Sequence, residues 1–158
     1  ICYSYSKSLS LPGERIGYLV IPDALKDSQE VFNAATIANR VMGAVNAPSL
    51  MQRVIKRCVD ENVNLEAYDR NRNLLYNGLR DLGFECIKPE GAFYLFLKSP
   101  EADEKKFCAS CKKYNILVVP GSSFACPGYV RISYCVSYGQ IERSLPAFRK
   151  VAADYGLV

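Results

Sequence analysis

Near the start of this chain a lysine sits in a run of hydroxyl side chains, Ser4-Tyr5-Ser6-Lys7. Arg15 follows across a Pro-Gly turn, in Leu11-Pro12-Gly13-Glu14-Arg15-Ile16-Gly17-Tyr18. Serine hydroxyls and a guanidinium suit a phosphate, because arginine offers paired donors in a fixed fork and serine approaches closely. A lysine beside a phosphate site is what Schiff-base chemistry with pyridoxal phosphate requires. Taken singly, Lys7 and Arg15 read as solvated loop charges. A second arginine stands in an apolar run, Tyr129-Val130-Arg131-Ile132-Ser133-Tyr134. An arginine buried there without a partner would be costly, so it calls for an anion, and a structural carboxylate is the ordinary one.

The elements that must carry these residues follow from periodicity and punctuation. Residues 1–5 and 16–21 read as strands around a polar loop over 6–14, and Pro22-Asp23 ends the second strand. Val31, Phe32, Ala35, Ile37, Ala38 and Val41 recur at helical spacing over 28–42. Asn46-Ala47-Pro48-Ser49 breaks that helix and opens another through Met51, Val54 and Ile55. A long amphipathic helix is predicted over 59–82, with Leu65, Tyr68, Leu75, Leu79 and Leu82 along one side and Gly83 as its cap. Beyond it lie strands over 84–87 and 92–97 around the turn Lys88-Pro89-Glu90-Gly91. A helix over 102–114, strands over 116–119 and 129–134, and a final helix over 137–155 complete the chain. Short strands interleaved with helices give an α/β fold, a short sheet packed with helices. Two domains are expected, over residues 1–58 and 59–158, with the long helix as the bridge.

Composition narrows the class. The net charge of +4 comes without a dense Lys/Arg stripe, so nucleic acid is not an expected partner. No apolar run approaches the ~20 residues of a spanning helix, so no membrane partner is expected, and the first residues do not form a secretory signal. The chain starts at Ile1, inside what reads as a strand, as a segment of a longer chain would. The seven cysteines are odd in number and irregularly spaced, which fits reduced thiols in a cytoplasmic protein better than a disulfide framework. Cys108-Ala-Ser-Cys111 lies in a helical stretch with no second pair and no histidine to complete a zinc site, so no metal is expected. The absence of histidine also excludes a Ser-His-Asp or Cys-His triad within the chain.

The whole motif, S-x-S-K-x-x-x-x-P-G-x-R-x-G-Y, closely resembles the lysine motif of the class I/II, fold-type-I aminotransferases. The later stretches follow in the same order, including the strand that carries Arg131. The resemblance implies that residues 1–58 end a large domain binding pyridoxal 5′-phosphate and that 59–158 form the small C-terminal domain. It implies that Lys7 is the Schiff-base lysine and then shuttles a proton, that Ser4, Ser6 and Arg15 bind the cofactor phosphate, and that Arg131 pairs with the substrate carboxylate. The implied reaction moves an amino group between an amino acid and a 2-oxo acid in a homodimer.

The ring-stacking aromatic, the aspartate on the pyridine nitrogen and most phosphate donors would precede Lys7 in the family. This chain alone is therefore expected not to transaminate. A β-lyase, decarboxylase or synthase on the same scaffold, or a non-catalytic binding module, are the alternatives. Two departures stand out. The family has Gly after the loop phenylalanine where this chain has Phe124-Ala125, and members acting on dicarboxylates carry an arginine where this chain has Ala44. Arg40, one helical turn earlier, is a substitute for that arginine or a solvated helix charge. Gly91-Ala92-Phe93-Tyr94 resembles a segment whose aromatic lies near substrate, and reads equally as core packing.

Overall fold

The computed structural model describes residues 1–158, which divide into two units, Ile1–Val63 and Asn64–Val158. In the first unit, strands β1 (Cys2–Ser4) and β2 (Gly17–Leu19) form an antiparallel ribbon with Ser4 opposite Gly17. That register requires a glycine, because a Cβ on Gly17 would lie 2.3 Å from the Tyr3 carbonyl oxygen. The segment read as a loop from Ser6 instead begins with one helical turn, α1 (Tyr5–Ser8). Ser4 is its extended N-cap, and its hydroxyl accepts from the Ser6 amide at 3.2 Å, which satisfies one of the donors a helix start leaves open.

Helices α2 (Ser28–Val41) and α3 (Ser49–Cys58) complete this unit. The apolar stripe of α2 has the predicted spacing, yet none of its residues is buried, and Phe32 and Ile37 are 57% and 63% exposed.

The long helix departs from expectation at its start. α4 runs Leu65–Asp81, wholly within the second unit, and residues 59–64 are non-helical. Asn64 sets the boundary by accepting from the Ala67 amide at 3.0 Å, so the helix begins at that cap rather than continuing from α3.

The second unit is built on a four-stranded antiparallel sheet ordered β3-β4-β6-β5. Its strands are β3 (Cys86–Ile87), β4 (Tyr94–Lys98), β5 (Val119–Pro120) and β6 (Tyr129–Ser133). Helices α4, α5 (Glu104–Lys113) and α6 (Tyr138–Asp154) supply the helical layer. Leu95 and Leu97 of β4 and Val130 of β6 are fully buried with Leu79, Phe107 and Val151. Each such side chain contributes roughly 1.5–3 kcal/mol.

The strand predicted over 116–119 shrinks to Val119–Pro120 because the end of α5 uses the preceding residues. Asn115 is left-handed (φ 60°), and the Ile116 amide bonds back to the Cys111 carbonyl at 3.1 Å. Asn71 ties α4 to the chain after β6, its side-chain amide donating to the carbonyls of Tyr134 (3.1 Å) and Val136 (2.7 Å). No helix is long and apolar enough to cross a membrane.

Candidate active site

The residues of the lysine motif gather at one end of the β1–β2 ribbon. Lys7 projects, exposed, from the single turn α1. On its N-terminal side the hydroxyls of Ser4 and Ser6 bond to each other at 2.8 Å, and Ser6 is buried. On its C-terminal side the Ser8 hydroxyl is buried without a hydrogen-bond partner. Arg15 reaches this end through the ribbon: the Tyr5 amide donates to the carbonyl of Ile16, the next residue, at 3.2 Å. Arg15 is itself left-handed (φ 52°) and exposed, and its guanidinium donates to the Pro12 carbonyl at 2.9 Å, leaving further donors of the fork outward. Arg15, Gly17 and Tyr18 line an open pocket with Phe32, Arg40 and Asn46.

Hydroxyls, a guanidinium and a primary amine are the donor set that a phosphorylated aldehyde needs, and the orphaned Ser8 hydroxyl adds a donor that the sequence reading did not include. These residues fit pyridoxal phosphate in chemistry. Ser8 was legible in principle, as a small polar residue directly after the lysine. What singles it out is burial without a partner, which only the folded chain shows.

Arg131 lies in the second unit, in the middle of β6. The register opposes it to Phe96 on one side and to Val119 on the other. Alternation explains how an arginine is tolerated in an apolar strand: Val130 and Ile132 face the core, while Arg131 points to the opposite face and is half-buried. There its guanidinium carbon stands 4.1 Å from the ring centre of Tyr94 and 3.6 Å from that of Phe124. The ion pairs Arg72–Asp69 and Lys98–Glu85 do not involve it. The structural carboxylate that ordinarily accompanies such an arginine is therefore not what holds Arg131. The rings of Tyr94 and Phe124 lie against its guanidinium, an interaction that leaves the in-plane N–H donors unused.

The Phe93-Tyr94 segment packs in part as core, as one of its two readings expects. Phe93 is 6% exposed in the core, and the ring of its neighbour Tyr94, 4.7 Å from that of Phe93, also meets Arg131. Phe124 belongs to the turn Gly121–Phe124 and is followed by Ala125 at φ 55°, the left-handed position where glycine would be unstrained. The loop thus keeps a glycine-type backbone with an alanine in it.

The two remaining sequence candidates are placed differently. Burial pushes the Cys111 thiol up to about 12 and raises that of Cys108, so the C-x-x-C is protonated at neutral pH and packs as core. Arg40 lines the same open pocket as Arg15.

The sequence profile of the family "Aminotransferase class I and II" matches residues 1–148. Aromatic-amino-acid aminotransferase 2 of Thermococcus litoralis is 32% identical over 162 aligned residues that cover 98% of this chain. Aspartate aminotransferase of Thermotoga maritima is 31% identical over 89% of it. The chain spans 41% and 36% of those relatives' lengths. Among solved structures, an amino transferase from Eubacterium rectale superposes with a TM-score of 0.86 at 50% identity, covering 98% of this chain and 39% of that one. A Thermus thermophilus aspartate aminotransferase variant complexed with tryptophan superposes at 0.79 with 28% identity. With the profile matched over nearly its whole length, the lysine motif at the ribbon's end and the arginine strand in the second unit, this chain belongs to the class I and II aminotransferase family.

Proposed function

We propose that the whole enzyme, of whose relatives this chain spans about 40%, transfers an amino group between an amino acid and a 2-oxo acid, with pyridoxal phosphate held at Lys7. The observation that carries the reading is Arg131: a half-buried guanidinium against two aromatic rings and outside both ion pairs. Bound pyridoxal phosphate supplies a carbonyl that condenses with amines and a ring that takes up the electron pair of the substrate's α-carbon. Ser4, Ser6 and Arg15 hold the phosphate, with Ser8 as a further donor. Lys7 Nζ, once a free amine, takes the proton from the substrate's α-carbon and returns it. Arg131 binds the substrate carboxylate through paired N–H bonds, and the rings of Tyr94 and Phe124 lie against the guanidinium.

Both named relatives cited above act on amino acids, one aromatic and one acidic, and those are the donors to try first. The seven unpaired cysteines favour a reducing compartment, which supports a cytoplasmic location. The apolar surface of α2, with Val41 82% exposed, supports burial in an assembly such as a homodimer. The test is to add pyridoxal phosphate, reduce with borohydride and map the peptides. Label on the Lys7 peptide that vanishes in Lys7→Ala is expected, and label spread over exposed lysines would overturn the assignment.

A further inference from the structure

What fixes Phe124 against Arg131 is not burial, since Phe124 is 41% exposed and outside the core. Its place depends on the loop Pro120–Gly128, and that loop is tied at several points. The Cys126 amide donates to the Gly121 carbonyl at 2.9 Å, and the Ser99 amide donates to the Gly128 carbonyl at 2.9 Å. A Cβ on Gly121 would lie 2.1 Å from the Cys126 carbonyl oxygen, so the turn closes too tightly for a side chain there.

The remaining tie is a carboxylate. Glu104, in the first turn of α5, is only 8% exposed and takes part in neither ion pair. A buried carboxylate without a cation must be satisfied by other donors. Here the Gly128 amide of the Phe124 loop donates to Oε2 at 3.3 Å, and the Ser122 hydroxyl, Glu104's own amide and the Ser122 amide also favour the charged carboxyl. Led by the Ser122 hydroxyl, these donors hold the Glu104 carboxyl below the usual carboxylate range. Ser122 precedes Phe124 by two residues and Gly128 follows it by four, so the donors the loop offers this carboxylate flank the ring in sequence, with the Gly128 amide bonded to it at 3.3 Å.

We propose that Glu104 is a positioning residue for carboxylate recognition: by clamping Ser122 and Gly128 it holds Phe124 over Arg131 and so sets how the guanidinium is presented. This rests on the reading of Arg131 as the substrate-carboxylate arginine. Glu104 touches neither substrate nor cofactor and acts through the loop.

The test uses Glu104→Gln in the enzyme loaded with pyridoxal phosphate, with Phe124→Ala, Arg131→Met and the exposed-side variant Ser122→Ala beside it. Glutamine keeps the shape but turns an amide group toward amide and hydroxyl donors. Two results are expected of Glu104→Gln. Hydrogen exchange at the Ser122 and Gly128 amides accelerates, and KM for the amino donor rises roughly three- to tenfold while kcat stays within about twofold, as loss of one cation–π contact would give. Phe124→Ala gives the same KM shift, and adding Glu104→Gln to it raises KM no further. Ser122→Ala moves KM in the same direction and serves alone if Glu104→Gln does not fold. Accelerated exchange with unchanged KM overturns the proposal, as does a double variant in which the two KM effects multiply. If Arg131→Met leaves KM unchanged, the carboxylate reading itself has failed and the clamp's role falls with it.

Discussion

Arg131→Met separates an arginine kept for a ligand from one kept for the fold. In a buried structural ion pair, removal of one partner strands the other charge and costs about 3–5 kcal/mol of stability. Arg131 is in neither ion pair, so its removal strands no carboxylate within its own unit. What the folded state loses is two cation–π contacts, at 4.1 Å to Tyr94 and 3.6 Å to Phe124, each worth about 0.5–1 kcal/mol at a partly exposed site. Methionine restores part of this through its own contacts with the rings, about 0.3–1.5 kcal/mol. The net loss of stability should therefore be about 1 kcal/mol or less, read as a small fall in the urea midpoint with an unchanged slope.

Catalysis should respond very differently. The carboxylate loses a two-point charged contact, about 3–5 kcal/mol, which corresponds to roughly a 10²- to 10⁴-fold fall in kcat/KM. Arg131→Lys keeps the charge but not the fork, and should fall between the two. Stability lowered by 3 kcal/mol or more with kcat/KM largely kept would refute the reasoning and make Arg131 a structural residue.

Other outcomes follow from the same geometry. Ala125→Gly should stabilise the protein by about 0.5–1 kcal/mol. It removes left-handed strain of about 1–2 kcal/mol and gives part of that back through the freer unfolded chain, and an unmoved or lower urea midpoint would contradict this. Asn71→Leu leaves the Tyr134 and Val136 carbonyls without their donor and should cost about 2–4 kcal/mol in chemical denaturation, where a loss under 1 kcal/mol would show that the tie matters little. Native-state alkylation at neutral pH should modify exposed Cys2 and Cys135 and spare Cys111, whose burial pushes its thiol up to about 12. Labelling of Cys111 before the protein unfolds, read by mass spectrometry, would contradict that.

The type and order of the elements are local properties, and the sequence carries them. Helical spacing marks 28–42 and Gly83 marks the end of α4. The alternation Val130-Arg131-Ile132 already implies a strand whose arginine leaves the core. The lysine motif is local as well, because the ribbon, the capping serine and the Pro-Gly turn lie within one short stretch. Its family resemblance could therefore be read before any fold was known.

What the sequence does not carry is set by partners distant along the chain. The start of helix α4 at Leu65 is the exception, because the Asn64 cap that sets it is local and apolar periodicity alone passes over it. Arg131 is the sharpest case. Its residue type demands an anion, and local sequence favours a structural one, but the choice turns on what surrounds the guanidinium. Tyr94 comes from the neighbouring strand, and Phe124 from a loop gripped by Glu104 at the start of another helix. The need for a partner is intrinsic to the charge, whereas whether the fold fills that need or leaves it open depends on contacts that form only when the chain closes on itself.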